Sequence, residues 1–270
     1  MEIQINNLRM FFLDEGSGEK TARVPLLFVH GFPLNHEIWS SQIQALRTTH
    51  RVIAPDLRGH GKSEAPPGPY KMEQMADDLK ALIDARRCGP VMMIGHSMGG
   101  YITFAFLRRY PKLVAGLGLV CTRPGADAPE GKTNRENLAL RVEKEGSIAA
   151  VDAMFPKMLS PTTYGEQLEL SDGIRQMMLA TPVAGIAGAS RGMALRVDSS
   201  DLLPTIKVPT LIITGANDQL ISPKESENMA KQIPNATLHI IPGAGHLPSV
   251  EKAGEVNRVL REFAIKNFTA

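Results

Sequence analysis

Two cysteines, Cys88 and Cys121, are all that this chain of 270 residues carries. They stand far apart, without metal-type or redox-type spacing. That excludes a disulfide scaffold, and free thiols in a reducing compartment are expected. No apolar run approaches the roughly 20 residues that cross a bilayer. The opening Met1-Glu2-Ile3-Gln4-Ile5-Asn6 alternates polar and apolar residues and lacks a signal-peptide core. No basic block stands out either, because 30 basic and 28 acidic side chains are spread along the chain for a formal charge of +2. Neither a nucleic-acid nor a membrane-surface footprint is expected. Internal repeats and low-complexity tracts are missing as well. What remains is ordinary globular composition, 43% hydrophobic and 21% charged. A cytoplasmic monomer or homodimer with a small-molecule partner is the expectation, and the length suits one α/β domain with an insertion.

Two short strands are expected at 2–6 and 8–13, with a turn at Gly16-Ser17-Gly18. Apolar runs and helical patterns then alternate, with strands at 26–30, 51–54, 91–94 and 114–121 and helices at 36–48, 72–87 and 98–109. In the second of these helices Met75, Leu79, Leu82 and Ile83 fall on one face. The strands are continuously apolar, which argues for a parallel sheet covered on both sides. From Thr122 to about Asp201 no β-type run occurs, and helix-like segments are broken by Pro124, Pro129, Pro156, Pro161 and Pro182. Alternation resumes with a strand at 208–214, a helix at 223–232, a strand at 236–241 and a helix at 248–267. The expected organisation is a core of residues 1–121 and 202–270, with a helical cap at 122–201 inserted after the sixth strand. Met154, Met158, Met177, Met178 and Met193 of the insertion could line an adaptable pocket. Each of them taken singly is better explained by packing.

The run Val91-Met92-Met93-Ile94 leads directly into Gly95-His96-Ser97-Met98-Gly99, and a helical segment follows. Strand, tight turn and helix in this order present a bare hydroxyl at the edge of a sheet. They also aim the unpaired N–H groups of a helix start at any oxyanion formed there. The glycines at 95 and 99 suit a turn too tight for a Cβ. The pattern alone is weak, since Gly188-Ala189-Ser190-Arg191-Gly192 matches it too. No strand feeds Ser190, which is read as helix surface or packing and rejected.

A serine nucleophile needs a base, and the base needs an orienting acid. Sites in open parallel sheets gather beyond strand C-terminal ends. Gly215-Ala216-Asn217-Asp218 follows one late strand and offers Asp218. Pro242-Gly243-Ala244-Gly245-His246 follows the next and offers His246. An isolated Asp in such a turn is usually a cap, and an isolated His usually packing. Their joint occurrence in the order Ser, Asp, His favours a triad. After the sixth strand the acid position holds Cys121 and Thr122, and Asp127 is too far along to substitute. Backbone N–H groups of Phe32, in His30-Gly31-Phe32-Pro33, and of Met98 are the candidate oxyanion donors. His30 is a brace for that loop or a pocket residue. Asp56-Leu57-Arg58-Gly59-His60-Gly61-Lys62-Ser63 ends like a phosphate-binding loop but begins with a carboxylate that would repel one. His36-Glu37 opens a zinc-type helix motif whose second histidine position is Ser40. No metal and no cofactor are expected.

Together these motifs resemble the α/β-hydrolase superfamily over essentially the whole chain, and within it cap-bearing carboxylesterases, 3-oxoadipate enol-lactonases and cofactor-free haloperoxidases. The resemblance implies a mostly parallel eight-stranded sheet with helices on both faces and a helical cap. It implies Ser97 as nucleophile, His246 as base and Asp218 as orienter. Serine in the elbow sets the chain apart from dehalogenases and epoxide hydrolases, which attack with aspartate. Pro33 matches the haloperoxidase pattern, whereas Phe32 stands where tryptophan is usual. A serine carboxylesterase for small to medium apolar esters is the leading expectation. A lactonase or perhydrolase on the same triad is the alternative, and a non-catalytic ligand-binding protein on the same scaffold is a third.

Overall fold

In a computed structural model, which describes residues 1–16 and 24–268, the apolar runs form the inner strands of one eight-stranded sheet. The strands are β1 (Glu2–Ile5), β2 (Leu8–Glu15), β3 (Leu26–Val29), β4 (Val52–Pro55), β5 (Val91–His96), β6 (Val114–Val120), β7 (Thr210–Gly215) and β8 (Ala236–Ile241). Their order is β1-β2-β4-β3-β5-β6-β7-β8. β2 pairs antiparallel with β1 and β4, and every other pairing is parallel. Of the predicted turn at 16–18, Ser17 and Gly18 lie outside the described residues.

The helices explain why these strands are apolar without alternation. Successive side chains point to opposite faces of a sheet, and here both faces are dry. Leu27, Val29, Met93, Leu117 and Ile212 pack with residues of α2 (Met72–Arg86) and α3 (Met98–Arg109), including Met75, Leu79, Leu82, Ile102 and Phe106. Leu26, Phe28, Met92, Ile94 and Leu211 belong to the opposite layer. There they meet Ile43 and Leu46 of α1 (Ser40–Leu46) and, from a helix near the C-terminus, Val256 and Leu260. Helix α1 is preceded by a 3₁₀ turn at His36–Trp39, which Asn35 caps by accepting the Glu37 N–H at 2.8 Å.

Between β6 and β7 the chain makes α4 (Pro129–Glu145), α5 (Ile148–Met154), α6 (Pro161–Glu166), α7 (Leu168–Ala180) and α8 (Val183–Ala194). Pro129 and Pro161 each stand in a first helical turn, where a missing N–H costs nothing. After β7 come α9 (Pro223–Gln232), α10 (Pro248–Glu251) and α11 (Ala253–Phe268). The last expected helix is therefore split at Lys252. The buried Glu251 carboxylate accepts the backbone N–H groups of Gly245, Leu247 and Ser160, which ties α10 to the loop after β8 rather than to α11.

Helix α8 carries the second glycine-serine-glycine match, and its glycines serve packing. A Cβ on Gly185 would fall 1.7 Å from the Gly59 carbonyl oxygen, and one on Gly192 would fall 1.7 Å from that of Tyr70. Ser190 is fully buried and donates its hydroxyl to the Arg135 carbonyl at 2.8 Å, joining α8 to α4. Backbone-to-helix apposition this close has no room for a methyl group. Gly192→Ala is expected to lower stability by about 1–3 kcal/mol, read from the denaturant midpoint. Gly173→Ala in α7, where a Cβ would meet nothing within 4 Å, should leave the midpoint unchanged or raise it.

Candidate active site

Ser97 connects β5 to α3 with φ 52° and ψ −113°, a backbone conformation that costs a non-glycine residue on the order of 1–3 kcal/mol. Two close approaches hold the strain in place. A Cβ on Gly95 would lie 2.5 Å from the Gly99 carbonyl oxygen, and one on Gly99 would lie 2.3 Å from that of Val29. The Ser97 N–H donates to Val120 at 2.9 Å, and its carbonyl accepts the Thr122 hydroxyl at 2.8 Å. Although Ser97 is the N-cap of α3, its side chain makes no capping bond. The hydroxyl is left to the cavity above the sheet.

His246 follows β8, and its Nδ1 lies 2.8 Å from Oδ2 of Asp218, which follows β7. A carboxylate accepts only, so Nδ1 carries the proton and Nε2 the lone pair. The other Asp218 oxygen accepts the N–H groups of Leu220 and Ile221 at 2.8 and 3.0 Å. Burial alone would push this carboxyl up, but the His246 ring and these donors outweigh burial and hold it below the ordinary carboxylate value. Cys121, at the position after β6 where an alternative acid could sit, is buried beside Asp218. Its thiol is pushed well up, first by burial and then by that carboxylate, so it stays protonated.

Three further histidines brace the loops. His96 lies 2.7 Å from the His246 carbonyl through Nε2, so Nε2–H is its donor. His30 accepts the Leu57 N–H on Nε2 at 2.9 Å and donates from Nδ1 to the Gly31 carbonyl. His60 donates from Nδ1 to Arg58. All three are neutral, because burial pushes them down, to about 3 for His30 and His96 and about 4 for His60. His96, Cys121 and His246 also bring potential metal-ligand atoms within 4.8 Å of one another. The protonated thiol and the His246–Asp218 bond suit a proton-transfer base better than a metal cage.

Phe32 follows β3, and Met98 opens α3. Neither N–H donates to a protein acceptor among the described residues, which suits both for an oxyanion. Phe32, Ser97 and His246 line one cavity of about 460 Å³. Met154 and Met193 also reach it. Three of the expected pocket methionines do not. Met158, in the segment after α5, and Met178 of α7 are fully buried in the second core layer, and Met177 faces a separate pocket by His36 and Thr181. His30 is walled off behind Gly31 and Leu57 and acts as the brace.

The cavity wall holds residues the sequence did not single out. Tyr101, Leu138, Leu220 and Ile221 supply apolar surface, while Arg123, Arg135, Arg141 and Lys157 supply charge. Asp127, the distant rival acid, lines the same cavity but is clasped by arginines. Arg196 binds it with two Nη groups at 2.7 and 2.8 Å, and Arg123 and Arg135 lie at 2.8 and 3.2 Å. Burial would raise its carboxyl, but Arg196 and then Arg135 bring it down to about 2. The trace of this wall in the sequence is a polar stripe at helical spacing (Asn134, Arg135 and Arg141 of α4, with Leu138 between them), legible only once α4 is known to lie over the site.

The chain matches the family described as alpha/beta hydrolase fold over residues 24–253. It is similar in structure to a thermophilic esterase from Thermogutta terrifontis, solved with malate bound, with TM-score 0.95, 41% identity and coverage of 100% of this chain and 99% of that one. The enol-lactonase from Burkholderia xenovorans LB400 gives TM-score 0.90 and 26% identity over 97% of this chain and 99% of its own. A non-heme haloperoxidase from Rhodococcus erythropolis is 30% identical over 268 residues, 94% of this chain and 95% of the relative.

The buried neutral histidines set an acid limit on stability. Unfolded, each takes a proton below about pH 6.5, whereas His30, His60 and His96 resist protonation to about 3 or 4 when folded. The unfolded state binds more protons in this window, so stability must fall as pH drops. The loss is on the order of 1.4 kcal/mol per histidine per pH unit. Denaturant midpoints measured from neutral pH to just above the carboxylate range should fall steeply, and a flat profile would refute the neutral assignment.

Proposed function

Because the chain belongs to the alpha/beta hydrolase fold family, we propose that it is a serine carboxylesterase acting on small to medium carboxylic esters through Ser97, His246 and Asp218. One observation carries this reading. A serine held bare at a strained strand-to-helix turn shares a cavity with a histidine whose Nδ1 is fixed on a buried carboxylate.

His246 Nε2 takes the hydroxyl proton as Ser97 Oγ attacks the ester carbonyl. The developing oxyanion accepts the N–H groups of Phe32 and Met98, which are aimed beforehand by the turn after β3 and the first turn of α3. His246 returns the proton to the departing alkoxide, which leaves as the alcohol. Water then attacks the acyl-enzyme with the same nitrogen as base, releasing the acid and restoring Ser97. Asp218 keeps the imidazole in the required tautomer and stabilises its cationic form during each transfer. Phe32, Leu138, Met154, Leu220 and Ile221 give the uncharged part of an acyl chain an apolar wall.

The likeness to an enol-lactonase at 26% identity supports a second reading, in which the same machinery opens a cyclic ester. Linear p-nitrophenyl esters of graded length, compared with lactones of equal carbon number, separate the two. Added peroxide tests transfer to a nucleophile other than water. Ser97→Ala should lose turnover by about 10³-fold or more while keeping the denaturant midpoint. Asp218→Asn should lose a comparable amount without losing fluorophosphonate labelling of Ser97 altogether. Undiminished turnover in Ser97→Ala would end this assignment.

A further inference from the structure

The cavity is cationic beyond what a neutral ester requires. Four cationic side chains, Arg123, Arg135, Arg141 and Lys157, line it together with one carboxylate, Asp127. That carboxylate is already balanced, because the buried Arg196 holds both of its oxygens and also donates to Gly125 and Met193 carbonyls. Arg123 and Arg135 therefore lean on an ion that is neutralised without them. They are only 32% and 23% exposed, so water offsets their charge incompletely. Arg123 makes one hydrogen bond with its guanidinium, to Asp127, and its buried Nε has no acceptor among the described residues. Lys157 forms no ion pair among the described residues, and Arg141 is drawn outward to Glu145 at 3.2 Å. Glu225 lies close enough to Arg123 to favour its charge, but it is not part of the cavity wall.

Filling this space with an apolar chain would strip water from the guanidinium groups and give nothing back. A carboxylate placed there would instead accept charge-assisted bonds from planar donors suited to it. The cations belong to the segment after β6, to α4 and to the turn after α5, and Asp218 is not among the residues that line the cavity.

We infer that the site selects esters that carry a second, free carboxylate, held by Arg123 and Arg135 with Lys157 at the rim. This rests on the carboxylesterase reading for the bond that is cut, but not for the binding of the anion.

Two measurements keep these claims apart. Binding of monomethyl glutarate and of dimethyl glutarate to Ser97→Ala by calorimetry needs no turnover. The monoanion should bind at least about tenfold tighter at low ionic strength, and the gap should shrink as salt screens the charges. Hydrolysis of the same pair by the unmodified protein, followed by base uptake at fixed pH, should show the same preference in kcat/KM. Arg135→Gln and Lys157→Gln should each reduce the ratio, and Arg135→Lys should restore part of it. Lys157 is exposed, so its variant reads the charge even where Arg135→Gln unsettles the fold. Equal or weaker binding of the monoanion overturns the inference and leaves the esterase reading standing. Preferred binding without hydrolysis of either ester upholds it and overturns the esterase reading.

Discussion

A hydrogen bond from His96 to the His246 carbonyl, 2.7 Å long, joins the two halves of the proposed chemistry. His96 is the last residue of β5, directly before Ser97, and His246 lies 150 residues further along, beyond β8. This tie anchors His246, and with it the loop after β8, directly to the strand that precedes Ser97. The loop is fixed at other points as well. The His246 N–H donates to Met158, Glu251 collects the neighbouring N–H groups, and Asp218 fixes the ring. Protonating His96 would demand an acceptor for Nδ1, which is buried without one. That is the sense in which burial of this ring makes the site rigid. Its neutral state is enforced by burial, and among the described residues no acceptor stands at Nδ1 for the charged form.

The strained turn at Ser97 depends on the same crowding. Unfavourable torsions persist only where the surroundings over-determine them. Here Gly95 lets α3 drop onto β5 and Gly99 lets it drop onto β3, so closely that carbonyl oxygens fill the space of the missing Cβ atoms. The match at Ser190 uses glycine for a different end, since α8 lies flat on the Gly59 and Tyr70 backbones. Both sites have a serine between glycines, but only one has a strand delivering it. The tight element is a turn in the first case and a whole helix in the second.

That contrast marks what could be read from the chain without coordinates. Strands such as 91–94 declare themselves because burial on both faces demands an unbroken apolar run, and α3 and α9 match their expected bounds. Asp218 was legible because it follows such a run, β7, and His246 because it follows the less buried edge strand β8, each in a glycine-bearing turn. The inserted helices gave no comparable signal. Met158 and Met178 have the same residue type as Met154, yet only Met154 reaches the cavity. Which face of α5 or α7 turns inward is set by packing on the core, and local pattern does not encode it. His30 shows a similar limit, since a histidine next to an oxyanion loop reads alike whether it meets a ligand or a backbone N–H.

The arginines around Asp127 are where local pattern and function part most clearly. A cluster of three guanidinium groups on one carboxylate is a poor way to stabilise a fold, because taking ions out of water offsets most of what their pairing gains. Arg196 earns its place structurally by stacking on Tyr101 with 4.2 Å between the guanidinium carbon and the ring centre and by capping carbonyls. Among the described residues Arg123 and Arg135 neither stack on a ring nor hydrogen-bond a carbonyl, although Tyr101 and Glu225 favour the Arg123 charge. An apolar residue in either position would pack the cavity wall at lower electrostatic cost. Their presence in the cavity that Ser97 lines is accounted for if the missing counter-charge arrives with the proposed substrate, so that this wall is electrostatically complete only when the cavity is filled.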